Sequence, residues 1–184
     1  VIERKIAVIF VTDVVGFSKL MEINEDETLK SFRVCRDILD KLFSEHGGRV
    51  FNTAGDSVLA EFQSAVSAVI CANEFQKLIR ERNNLVSNNA KLYFRIGLNM
   101  GDVIVEGENL YGEGVNVAAR LEALSQSGGV CLSKTITDFV NRKTEFLFND
   151  LGEQKVKNTI IHAFDLNNPD LELSLIHIYE PTRR

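Results

Sequence analysis

Cysteine and histidine are scarce in this chain, with three of each in 184 residues. Cys35, Cys71 and Cys131 are odd in number, widely spaced and without a CxxC pattern. That excludes a disulfide framework and a cysteine zinc site. Each reads as a buried, reduced core residue. The scattered histidines leave a Ser-His-Asp type of nucleophilic site little to build on. Positive charge is also in deficit: 21 Lys and Arg against 26 Asp and Glu leave a net charge of -5. A nucleic-acid partner, which requires a basic face, is therefore not expected. No apolar run approaches the ~18 residues of a membrane span, and the N-terminal residues carry no signal-peptide pattern. A cytoplasmic location is expected, with any membrane attachment outside these residues. What is present is ordinary for a soluble domain: 45% hydrophobic and 26% charged residues, with length for one real core.

The chain opens on an apolar run, "IAVIFVTDVVGFS" (6–18), that reads as a buried strand over Ile6 to Val11 ending in a turn through Val14-Val15-Gly16. Asn24 and Glu27 form a capping pair for a helix whose stripe is Leu29, Phe32, Cys35, Ile38, Leu39 and Leu42. The glycines of "EHGGRV" end it. "RVFNT" and "SVLAEF", separated by "AGD", predict a β-hairpin. A second helix is expected from about Ser64 to Arg82, followed by the polar loop "NNLVSNNAK". "LYFRIGLNMG" and "DVIVEG" read as two strands around Gly101, and a third helix begins near Gly114. The order β-α-β-β-α-β is the ferredoxin-like, α+β arrangement. Helices are then expected on one face of an antiparallel sheet, leaving the other face for a ligand or partner. Residues 1–166 make one domain. The segment 167–184 lacks periodicity and caps, and reads as a linker, a cloning remnant or an assembly artefact.

Asp13 ends the first strand and Asp56 sits in the hairpin turn, so this topology brings both carboxylates to one sheet edge. An isolated aspartate at such a place commonly caps a turn. Two close carboxylates repel, raising one pKa unless a cation lies between them. Gly16 and Gly55 beside them allow backbone amides to approach an anion, a combination suited to a magnesium-nucleotide complex. In "YGEGVNVAARLEAL", Asn116 and Arg120 lie four apart on one helix face. A helical arginine commonly pairs with a surface Glu; the small apolar neighbours here suit instead an Arg and Asn that hold a phosphate and a sugar oxygen.

"FVTDVVGFSKL", "NTAGDSVLAEF", "RIGLNMGDVIV" and "YGEGVNVAARLEAL" occur in the order and spacing of the class III nucleotide cyclases. Over nearly all of residues 1–166 the chain resembles their catalytic domain, in particular the bacterial branch. The resemblance implies metal binding by Asp13 and Asp56, completed by the Val14 carbonyl, with two Mg²⁺ or Mn²⁺ per site. It implies a triphosphate cradle of Val15, Gly16 and Phe17 amides. Asn116 and Arg120 fall on the family's transition-state pair, and Lys157, with Lys155 beside it, on a phosphate-binding lysine. Such sites form between two domains, so a homodimer is implied, acting on ATP or GTP to release pyrophosphate. The base-reading positions fall on Asn52 and Asn109, where well-known adenylate cyclases carry other residues, and asparagine pairs with either purine edge. ATP is favoured by the family's usual activity. The alternatives are a guanylate cyclase or a catalytically silent homology domain serving dimerisation or regulation.

Overall fold

The computed structural model describes residues 2–167. The first strand, β1 (Glu3–Val14), leads into a short helix α1 (Phe17–Ile23) and the long α2 (Glu25–His46). The Asn24 side chain accepts from the Glu27 amide at 3.1 Å, the cap its spacing predicts. Gly47 ends α2 in the left-handed region at φ 78°. The hairpin β2 (Gly48–Ala54) and β3 (Ser57–Phe62) turns at Gly55, and Ser64 caps α3 (Ala65–Asn83). Then follow β4 (Phe94–Glu106), β5 (Asn109–Tyr111) and α4 (Glu113–Leu124). Beyond the elements read from sequence come β6 (Val130–Ser133), α5 (Lys134–Val140), β7 (Phe148–Val156) and β8 (Thr159–Leu166).

The sheet runs β2-β3-β1-β4-β6-β8-β7, with β5 attached to β4. Its pairings are antiparallel except β4 with β6. The first four strands stand in the ferredoxin-like order, so the α+β expectation holds. Cys35, Cys71 and Cys131 are buried free thiols; desolvation pushes Cys35 up to about 11 and Cys71 up to about 12. No described helix is long and apolar enough to cross a membrane. Of the segment 167–184, Asn167 donates its amide to the Leu147 carbonyl at 2.9 Å, and 168–184 lie outside the described residues.

Two expectations need correction. Gly101 does not break β4, which runs unbroken from Phe94 to Glu106 and turns at Gly107 (φ 62°). Nor is the second sheet face open. Alternation along β1 sends Val8, Phe10 and Val14 into the core under α2 and α3. It sends Ala7, Ile9 and Val11 to the other face, where Val115 and Ala118 of α4 cover them. The glycines explain both results: a Cβ on Gly101 would lie 3.4 Å from the Gly114 Cα, and one on Gly97 would lie 2.3 Å from the Ala118 oxygen. They are places of close approach within a strand rather than turn residues.

On the same face, near the sheet's β2 edge, Glu61 is buried between Lys5 (2.6 Å) and Arg49 (2.9 Å). Burial raises its pKa, but these two cations outweigh burial and hold it below the ordinary value of 4.5. A depressed folded pKa adds stability above the unfolded pKa, and that stability is lost as pH falls through the folded value. Glu61→Gln is therefore expected to lower the melting temperature at pH 7, with the gap to wild type closing as the pH is taken below about 4. Melts across that range check it; a gap that does not vary with pH sinks the charge-pairing account.

Candidate active site

Asp13 stands one residue before the end of β1, half-buried, in register with Arg95 of β4. Arg95 Nη2 lies 3.5 Å from Asp13 Oδ1. Asp56, in the β2–β3 turn, accepts from the Val14 amide at 2.8 Å through Oδ2. That bond holds the hairpin turn against the strand end and brings the two aspartates to one place. Burial raises the pKa of Asp56, with the Asp13 charge adding to it, against the backbone hydrogen bonds that lower it.

Two further groups at this place were not read from the sequence. Glu122 projects from the inner face of α4 and is buried, 3.8 Å from Arg95 Nη2. Burial foremost, then the hydrogen bond to Asp13 and its charge, raise its pKa well above the usual carboxylate range, against the opposing pull of Arg95. Arg95 also donates to the Ala123 carbonyl at 3.5 Å. The signal for Glu122 was present: Val115, Ala118 and Glu122 are spaced three and four apart, a single buried stripe.

At the turn after β1, the Val15 amide donates to the Tyr93 carbonyl at 2.8 Å. It is thus engaged within the fold. Gly16, left-handed at φ 64°, precedes α1, and its carbonyl takes the first helical bond from Leu20. The Phe17 amide then belongs to the helix-start N–H groups that find no partner inside the helix.

Asn116 and Arg120 lie on the outer face of α4. Together with Ala119, Ala123, Val156 and Lys157 they line a pocket of about 180 Å³. Lys157 comes from the β7–β8 turn; Lys155, exposed on β7, does not line this pocket. Arg120 Nη1 donates to Thr159 Oγ1 at 3.0 Å and lies 3.4 Å from Glu113 Oε1. Neither aspartate lines the pocket. Asn52 is exposed beside a bulge in β2, its Oδ1 accepting from the Thr53 amide at 2.9 Å. Asn109 begins β5, with its side chain bonded to the Leu110 amide and the Tyr111 hydroxyl. Arg49 spans β2 and the turn before β5 by donating to the Glu108 carbonyl at 2.7 Å.

Residues 3–168 match the family described as the adenylate and guanylate cyclase catalytic domain. The chain belongs to this family. This cyclase domain is 42% identical over 158 residues to a Rhizobium meliloti (strain 1021) protein named "Putative adenylate cyclase 3". The match covers 85% of the chain and 27% of that relative, so the chain spans about a quarter of the relative's length. An adenylate cyclase of Streptomyces coelicolor is 27% identical over 138 residues, 74% of this chain and 34% of the relative. Among solved structures, the adenylate/guanylate cyclase/hydrolase from Silicibacter pomeroyi superposes with a TM-score of 0.84 at 35% identity, covering 91% of this chain and 99% of that one. The adenylyl cyclase CyaB from P. aeruginosa shares the fold with a TM-score of 0.78 at 21% identity, covering 91% and 96%.

The donor set of the cyclase domain fits a hard divalent cation. Two carboxylates and a main-chain carbonyl are oxygen ligands, and Mg²⁺ commonly takes one or two carboxylates together with substrate phosphates. Burial first, with the Asp13 charge adding to it, raises the Asp56 pKa, and a cation between the two carboxylates would oppose both. The described residues hold no cluster of three or more His, Cys, Asp or Glu able to bind a metal.

The seat of α4 holds these groups in place. A Cβ at Gly97 would lie 2.3 Å from both the Ala118 oxygen and the Glu122 nitrogen, main-chain atoms that cannot swing aside. Gly97→Ala is expected to destabilise the domain by about 3 kcal/mol, the upper part of the overpacking range. Urea unfolding measures this, and a loss under about 0.5 kcal/mol would mean the helix shifts freely on the sheet.

Proposed function

We propose that this domain is a nucleotide cyclase that converts ATP to 3',5'-cyclic AMP and pyrophosphate. The observation that carries the reading is the convergence of Asn116, Arg120 and Lys157 on one pocket, in a chain whose two aspartates converge at the sheet end. Asp13, Asp56 and the Val14 carbonyl would hold two Mg²⁺ or Mn²⁺ ions, which supply Lewis acidity toward the ribose 3'-hydroxyl and the phosphates. Arg120 stabilises the charge that develops on the α-phosphoryl oxygens as the 3'-oxygen attacks and pyrophosphate leaves. Asn116 orients the ribose so that the nucleophile starts near phosphorus. Lys157 and the amides of Gly16 and Phe17 bind the outer phosphates. No covalent nucleophile is needed. Asn52 and Asn109 face the base, and the choice of ATP rests on the relatives named as adenylate cyclases.

The two half-sites lie on opposite sides of one helix. Glu122 on the inner face of α4 meets the aspartates, while Asn116 and Arg120 line a pocket without them. One substrate is best served by the aspartates of one copy and the α4 outer face of another, so the active form is a homodimer.

Incubation with Mn-ATP and Mn-GTP, with chromatography of the products, tests the reaction. Asp13→Asn and Asp56→Asn are each expected to abolish metal-dependent turnover while preserving the fold. Mixing inactive Asp13→Ala and Arg120→Ala chains is expected to restore activity, because one interfacial site is then intact. Confirmed dimers that fail to complement would overturn the shared site. Asn52→Lys is expected to sharpen the preference for ATP over GTP by about 1 kcal/mol in kcat/KM. An unchanged ratio would show that Asn52 does not read the base.

A further inference from the structure

Arg120 is held from two sides. Its side chain is 19% exposed, and the 3.4 Å approach to Glu113 is made to a carboxylate that is 64% exposed. A long pair of that kind is solvent-screened and directs little. The 3.0 Å bond to Thr159 Oγ1 differs in both length and setting. Thr159 opens β8 immediately after the turn Lys157-Asn158 and pairs with Val156 across it. Both turn residues have positive φ, 48° and 66°, the conformation of a type I' hairpin turn. A lysine is kept in the left-handed region only where its surroundings determine it. One turn therefore sets both the base of Lys157, which lines the pocket, and the hydroxyl that directs Arg120 into that pocket.

We propose that Thr159 is a positioning residue for the cyclase reaction. Its hydroxyl anchors Arg120, and the hairpin turn thereby sets that guanidinium relative to the main chain from which Lys157 projects. The inference rests on the role given to Arg120 above. Thr159 takes one of the five guanidinium N–H donors and Glu113 a second at 3.4 Å, which leaves three for a phosphoryl oxygen. An anchored guanidinium has already lost the freedom that a loose one would lose on reaching the transition state. Loss of the hydroxyl should consequently lower kcat while leaving KM nearly unchanged.

Steady-state kinetics with Mn-ATP on Thr159→Val, Thr159→Ser and Arg120→Ala test this. Valine keeps the branched shape and removes the acceptor; serine keeps the acceptor and removes the methyl. Thr159→Val is expected to lose about tenfold in kcat with KM within about twofold, and Thr159→Ser to stay within about twofold of wild type. A Thr159→Val chain as fast as wild type, beside an impaired Arg120→Ala chain, overturns the proposal alone. Serine as impaired as valine assigns the effect to methyl packing and also overturns it. If Arg120→Ala is itself fully active, the role of Arg120 falls and this inference with it. Arginine side-chain NMR gives a reading independent of turnover. Slow rotation of the Arg120 guanidinium is expected in wild type and Thr159→Ser and fast rotation in Thr159→Val; fast rotation in wild type overturns the anchor.

Discussion

The layout of the site depends on how closely one helix lies on one strand. α4 rests on β4 with main chain almost touching main chain, a packing that exists because Gly97, Gly101 and Gly114 carry no side chain between them. At that separation Glu122 reaches down to Arg95 and Asp13. Val115 and Ala118 seal the apolar surface of β1. The residues left on the outer face, Asn116 and Arg120, are turned toward the β7–β8 hairpin. A helix standing farther off would leave Glu122 hydrated and Arg95 without its second carboxylate.

The same packing answers why a carboxylate is tolerated at the end of an apolar strand. Burying an unpaired charge costs several kcal/mol. Asp13 has Arg95 directly across the ladder, and burial, then hydrogen bonding with Asp13, raises the pKa of the neighbouring Glu122. Asp56 is stabilised differently, by the amide of Val14. The nearest support of Asp13 is the Arg95 cation, and that of Asp56 is the backbone amide of Val14.

Local chemistry with a strong stereochemical signature was legible in the sequence. The Asn24 cap, the "AGD" turn and the Asn116/Arg120 face all depend on near neighbours, and all appear as read. What depended on distant contacts was not. Gly101 looked like punctuation because glycine in a strand serves both turns and close approaches, and only the position of Gly114 separates the two. Glu122 fell in a core stripe but was passed over because charged residues ordinarily face water. The Lys157-Asn158 turn is left-handed without the glycine that usually marks such a place. The β6 strand, "VCLS", is only four residues long, too short for any periodicity to declare itself.

The parallel pairing of β4 with β6 has a consequence for how such a domain can vary. Parallel neighbours cannot be joined by a tight turn; the chain must travel back along the sheet before the second strand begins. Here the returning segment is α4. The connectivity therefore keeps the helix on one face of the sheet. Its outer face is in that sense a mounting plate. Drift can rewrite the side chains it displays, while the place from which they are displayed is inherited with the connectivity.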